Sequence, residues 1–262
     1  MQPALGGDSD SAKFTLHVAD WLEDNIETWT VTNEGTILEG VRRHYVRPNP
    51  FQSGDQLPLE DAGRLALKMS NRAEGLDRSY PAREIVDAGF LELVRYGVRA
   101  SDDPVIGDSI RVVDAVLKID TPSGTCWRRY NNDGYGQRED GGPFMGAGQG
   151  RGWPLLTGER GHYELAAGRD VERYIRWMEG FATPTHLIPE QVWDEDDRPA
   201  QHLRRGRPTG GAVPLLWAHA EYIKLLRSVR EGRVFDLVPE VADRYIRNRQ
   251  APYKAQHWSI QH

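Results

Sequence analysis

Apolar residues recur at three- and four-residue steps in one segment of this chain after another, and this spacing limits it to a mainly helical fold. Phe14, Val18, Trp21, Leu22 and Ile26 mark a helix over 11–28. Val86, Phe90, Leu93 and Val94 mark one over 82–97, ended by Gly97. Ile106, Ile110, Val113 and Leu117 mark a third over 103–118, opened by Asp102-Asp-Pro as helix-entry rules require. Further helices are expected over 154–167, over 170–181 with Val171, Tyr174, Ile175, Met178 and Phe181 on one stripe, and over 214–229. The start of the last is apolar nearly all round, the pattern of an inner helix, and a short helical piece is expected near 239–247. Strand signals are confined to pieces such as Trp29-Thr-Val-Thr. About six sizeable helices joined by long loops, without an internal repeat, predict helical hairpins packed side by side, not a βαβ sheet.

The loops are unusual. Residues 33–81 form a loop-rich segment, and connections of that length inside a compact domain usually carry or cover a site. Residues 131–152 hold eight glycines, which excludes a helix there. Gly158 and Gly161 interrupt the helix over 154–167, each at a cost of about 1 kcal/mol relative to alanine, so close packing or ligand access is expected at them.

The 262 residues carry 33 Lys+Arg against 39 Asp+Glu, a mildly acidic balance that argues against a nucleic-acid surface. The single cysteine, Cys126, can form no internal disulfide. Residues 1–10 lack the basic start and apolar run of a signal peptide, no segment reads as a membrane span, and neither feature assigns a compartment. The run Gly146-Ala-Gly-Gln-Gly-Arg-Gly152 matches no phosphate-binding fingerprint. The pairs His162/Glu164 and His219/Glu221 stand two apart, a spacing that does not chelate one ion on a helix. They read as structural hydrogen-bonding groups, and no metal or cofactor is expected. Arg204-Arg-Gly-Arg207 reads as a solvated loop.

Chemistry concentrates between Trp127 and Asp194, where aromatic rings, arginines and carboxylates alternate with glycines, a mixture suited to a neutral polyhydroxylated ligand. Glu190 follows Ile188-Pro189 and precedes Gln191 and Trp193. A carboxylate framed by an amide and an indole can orient a water as a general base for sugar hydrolysis; Glu after Pro is also an ordinary helix start, and taken alone that is the commoner meaning.

Six blocks carry a resemblance: Trp29-Thr-Val-Thr, Val86-Asp-Ala-Gly-Phe-Leu-Glu-Leu-Val94, Arg129-Tyr-Asn-Asn-Asp-Gly-Tyr-Gly136, Trp153-Pro-Leu-Leu-Thr-Gly-Glu-Arg-Gly161, Pro189-Glu-Gln-Val-Trp-Asp194 and Pro214-Leu-Leu-Trp-Ala-His-Ala-Glu-Tyr222. In that order, from about Ser11 to Val229, the chain resembles bacterial glucoamylases and glucodextranases of glycoside hydrolase family 15. The resemblance implies an all-α, six-fold α/α barrel and inverting removal of glucose from the non-reducing ends of α-glucans. It implies that Glu190 is the catalytic base, with Gln191 beside it, and that Arg129, Asp133, Trp153 and Trp217 bind substrate.

The family's general acid, in a Trp-Glu block, has no counterpart here. The expectation is therefore an incomplete barrel of about half the twelve helices, a single C-terminal portion spanning 1–262. Its partners would be an α-glucan and the N-terminal half of the barrel, with no nucleic acid or membrane, and the chain alone would be inactive. A half barrel should also expose an apolar interface. A non-catalytic carbohydrate-binding remnant, or a family enzyme acting on trehalose or dextran, are the alternatives.

Overall fold

A computed structural model describes residues 9–48 and 61–248. The helices are α1 (Ser9–Thr30), α2 (Leu91–Arg95), α3 (Pro104–Val116), α4 (Pro154–Ala166), α5 (Glu172–Phe181), α6 (Leu216–Glu231) and the short α7 (Pro239–Ala242). Three two-stranded antiparallel pairs fill part of the loops: β1 (Val31–Thr32) with β2 (His44–Tyr45), β3 (Ala66–Lys68) with β4 (Ser79–Pro81), and β5 (Lys118–Thr121) with β6 (Gly124–Trp127). Part of the 33–81 segment (49–60) lies outside the described residues.

α3 begins as its sequence dictates. Asp103 accepts hydrogen bonds from Val105 N (2.8 Å) and Ile106 N (3.3 Å), and Pro104 takes the first-turn position, where a missing N–H costs nothing. Its stripe enters one core with Phe90, Leu91, Val94, Trp127, Tyr163, Tyr174, Met178 and Leu225. α4 lies between α5 and α6, and its two glycines account for the closeness. A Cβ on Gly158 would stand 2.6 Å from Glu221 Cγ, and one on Gly161 would stand 2.9 Å from Leu225 Cδ2. Close packing is thus what the glycines provide.

The helix expected over 82–97 is not formed along its length; only α2, at 91–95, is α-helical. Asn131 explains the difference. Its side chain accepts from Val86 N at 2.9 Å and donates to Glu84 O at 2.5 Å, taking backbone groups that helix hydrogen bonds would use. Arg47 N also donates to Ile85 O. Gly97, at φ 86°, does end α2.

The helices close no barrel among the described residues; the arrangement is part of an α/α barrel. α6 is not buried all round. It buries Ala218, Glu221, Leu225 and Ser228 and leaves Leu216 (81%) and Ile223 (63%) exposed. α1 likewise exposes Phe14, Leu16, Val18, Trp21 and Leu22. No described helix is long and apolar enough to cross a membrane.

Candidate active site

Backbone hydrogen bonds gather three distant loop segments. Trp153 N donates to Trp127 O at 2.8 Å, and Val192 N donates to Gly152 O at 2.9 Å. The second contact requires glycine, because a Cβ on residue 152 would lie 2.4 Å from the sulfur of buried Cys126. Burial raises the pKa of this thiol well above its usual range, which leaves it inert.

Glu190 stands at the end of an extended piece pinned on both sides. Ile188 N donates to His219 Nε2 at 2.9 Å, Leu215 N to Ile188 O at 2.9 Å, and Glu190 N to Ala212 O at 2.9 Å. The Glu190 side chain is nearly buried, and Gln191 Nε2 donates to its Oε1 at 3.2 Å. Gln191 Oε1 in turn accepts from Arg151 N at 3.2 Å, so the amide cannot flip without losing both bonds. Tyr135 completes the frame. Burial, then the charge of Glu190 and a hydrogen bond to it, raise the phenol's pKa.

Arg129 and Asp133 form a two-pronged pair, Nε to Oδ2 at 2.8 Å and Nη2 to Oδ1 at 3.0 Å. Burial works against the Arg129 charge, but the Asp133 hydrogen bond and carboxylate outweigh it and raise its pKa. The guanidinium lies 4.9 Å from the Tyr135 ring centre and 5.1 Å from that of Trp153. Tyr135 therefore joins the Glu190 carboxylate to the Arg129–Asp133 pair. Trp153 is buried, and its indole N–H meets no acceptor among the described residues. Trp217 stands apart from this cluster, 59% exposed on the first turn of α6.

Beneath the cluster lies a support the sequence reading missed. The fully buried Arg151 guanidinium contacts Asp194 Oδ1 (3.0 Å), Glu195 Oε1 (2.6 Å) and the carbonyls of Gln137 and Arg138, and sits 4.1 Å from the Trp193 ring centre. A lone arginine between two glycines carries no periodic signal. Its flanking glycines, which let backbone approach from both sides, were the available hint.

The histidines are structural, with partners other than their neighbours two residues on. His162 pairs with Glu221 (2.8 Å) and Ser228 (3.1 Å), while Glu164 pairs with Arg160 and Arg169. Arg204 and Arg205 are solvated, but Arg207 reaches the carbonyls of Gly180 and Ala182 at the end of α5. No group of three or more His, Cys, Asp or Glu side chains among the described residues is placed to share a metal ion.

An incomplete α/α barrel with loops that gather a carboxylate, an arginine and indoles defines a glycosidase-type scaffold. The family model for glycosyl hydrolases family 15 matches residues 5–227, and the chain belongs to that family. It is 41% identical over 243 residues to a glucoamylase from Clostridium sp. (strain G0005), covering 91% of this chain and 31% of that protein. Among solved structures it is similar to a bacterial glucoamylase complexed with acarbose, at TM-score 0.78 and 41% identity over 90% of this chain and 32% of the other. The chain thus spans about a third of the length of these relatives.

Proposed function

We propose that this chain forms the base side of an inverting, exo-acting α-glucosidase site that releases glucose from the non-reducing ends of α-glucans. Glu190 is the general base: with one oxygen held by Gln191, its carboxylate takes a proton from the water that attacks the anomeric carbon. Arg129, fixed by Asp133, and Trp153 bind the terminal glucose through hydroxyl contacts and an apolar ring face. Trp217 is assigned to the glucose pocket by the family resemblance alone, since in this chain it stands exposed on the first turn of α6.

The observation that carries this reading is the Tyr135 bridge. It sets the Glu190 carboxylate and the arginine expected to grip sugar against the same phenol ring.

Inversion needs a second carboxyl about 6.5–9.5 Å from the base, with water between them. Of the carboxyls on α4, Glu164 is paired to two arginines, and Glu159 lies by Glu221, Glu92 and Asp87, where burial and like charge raise its pKa. The Trp-Glu block that carries the family's general acid has no counterpart in this sequence, so residues 1–262 alone should not hydrolyse maltooligosaccharides. Glucose release by the purified chain would overturn this half-site reading.

The base assignment is tested in a chimera in which this chain replaces the matching segment of the Clostridium glucoamylase. Glu190→Gln should lower its kcat about 10²–10⁴-fold. An active chimera indifferent to that substitution would remove Glu190 from the role.

A further inference from the structure

The structure holds a concavity that Glu190 does not border. It has a volume of about 1000 Å³ and lies between the 69–78 turn joining β3 to β4 and the glycine-rich loop 138–150. Neither Glu190, Gln191, Trp153 nor Trp217 borders it. The two walls are fastened where Gly148 N donates to Asn71 O at 3.2 Å, and Gly134 passes so near Asn71 that a Cβ would fall 2.0 Å from its carbonyl oxygen. The cleft is therefore built by backbone contact.

Its lining favours a neutral ligand. Four arginines face four carboxylates, so no net charge selects an ion. Half of these groups are committed elsewhere: Arg128 to Asp194, Arg138 to Asp140, and Asp133 to Arg129. Arg72, Arg198, Glu74 and Glu139 have no ion-pair partner among the described residues. Arg72 makes only two long contacts, to Asp77 O at 3.4 Å and Tyr80 Oη at 3.2 Å. The cleft thus offers both donor guanidinium and acceptor carboxylate groups, beside exposed apolar surface from Leu76, Val116 and Met145. Hydroxyls that both donate and accept, on a ring with apolar faces, match that lining. The volume is at the upper end for small-ligand sites, which leaves room for several sugar units.

We propose that this cleft is a second glucan-binding site that holds an internal stretch of an α-glucan. The proposal rests on the reading of the Glu190 pocket as a glucan site, since that reading supplies the ligand class. The two sites share one residue. Asp133 borders the cleft and holds Arg129 on the other side, and its carbonyl accepts from Gly150 N at 2.7 Å. Occupancy of the cleft would therefore stiffen the loop that carries the sugar-gripping arginine.

Hydrogen-exchange mass spectrometry of the full chain with maltoheptaose tests this directly. Amides in 69–78 and 138–150 should gain protection, and the double substitution Arg72→Gln/Arg198→Gln should abolish it and weaken that binding about tenfold or more, as expected for lost charge-assisted hydrogen bonds. Excess inorganic phosphate should not compete. Protection confined to residues around 187–191 would overturn the cleft while leaving the pocket reading intact. Displacement by phosphate would make it an anion site and overturn it too. Binding in the cleft combined with an inactive chimera would instead sink the catalytic reading alone. Because the map is read on the unmodified chain, a poorly folded variant does not leave the question open.

Discussion

Gln191 donates its side-chain amide to Glu190 Oε1 at 3.2 Å while its own oxygen is held by Arg151 N, also at 3.2 Å. The amide is thus oriented by the backbone before it touches the carboxylate. In the glucoamylase chimera, Gln191→Ala should cost one hydrogen bond to a charged group and lower kcat about tenfold, with a smaller change in KM. Equal loss in both parameters would place Gln191 in substrate binding instead.

How far the sequence revealed this site depends on what kind of contact builds it. α3, α4, α5 and α6 were legible because each buries a stripe whose spacing is local. The 82–90 stretch was not, because the amide that keeps it extended belongs to Asn131, more than forty residues later. Glu190 could be singled out by residue type and neighbours, and Gln191, Arg129 and Trp153 through the family resemblance. Their convergence could not, since it runs through single backbone bridges from 127 to 153 and from 152 to 192. An apolar run at the start of α6 likewise could not tell that Trp217 and Leu216 face outward.

Gly158 provides a test of packing against propensity. Alanine would favour the helix by about 1 kcal/mol, but its Cβ would meet Glu221 Cγ at 2.6 Å and Met178 Sδ at 3.0 Å. Glu221 cannot retreat freely, being held by Arg95 at 3.0 Å and His162 at 2.8 Å. Overpacking of this kind costs about 1–3 kcal/mol, so Gly158→Ala should lower the Tm. Gly107→Ala in α3, where the added methyl meets nothing within 4 Å, should stabilise by about 0.5–1 kcal/mol. Equal effects from the two in thermal melts would refute this account of the α4–α6 contact.

Glu159 makes stability depend on pH. Burial first, then the carboxylates of Glu221, Glu92 and Asp87, push its carboxyl from an ordinary 4.5 up to about 8, with Arg95 opposing. The folded chain therefore binds a proton that the unfolded chain has released. Between pH 4.5 and 8 this group's contribution must fall as pH rises, levelling off above the folded pKa. Glu159→Gln mimics the protonated form, so its advantage over the parent should grow across that window and be largest near pH 9. Denaturant titrations at several pH values check it, and a difference that stays constant with pH would exclude the raised carboxyl.

The outward faces of α1 and α6 set the chain's behaviour in solution. On α6, Leu216 and Ile223 lie seven residues apart, two helical turns along one face, with Leu226 three residues further on, all exposed. α1 adds Phe14, Val18 and Trp21 at helical spacing. Apolar surface of this kind mediates association. Sedimentation of the purified chain should therefore show oligomers. Leu216→Glu/Ile223→Glu should shift the distribution toward monomer without loss of helical circular dichroism, because neither side chain contributes to the folded core. A parent chain that sediments as a stable monomer would mean that these faces are tolerated in water and need no partner.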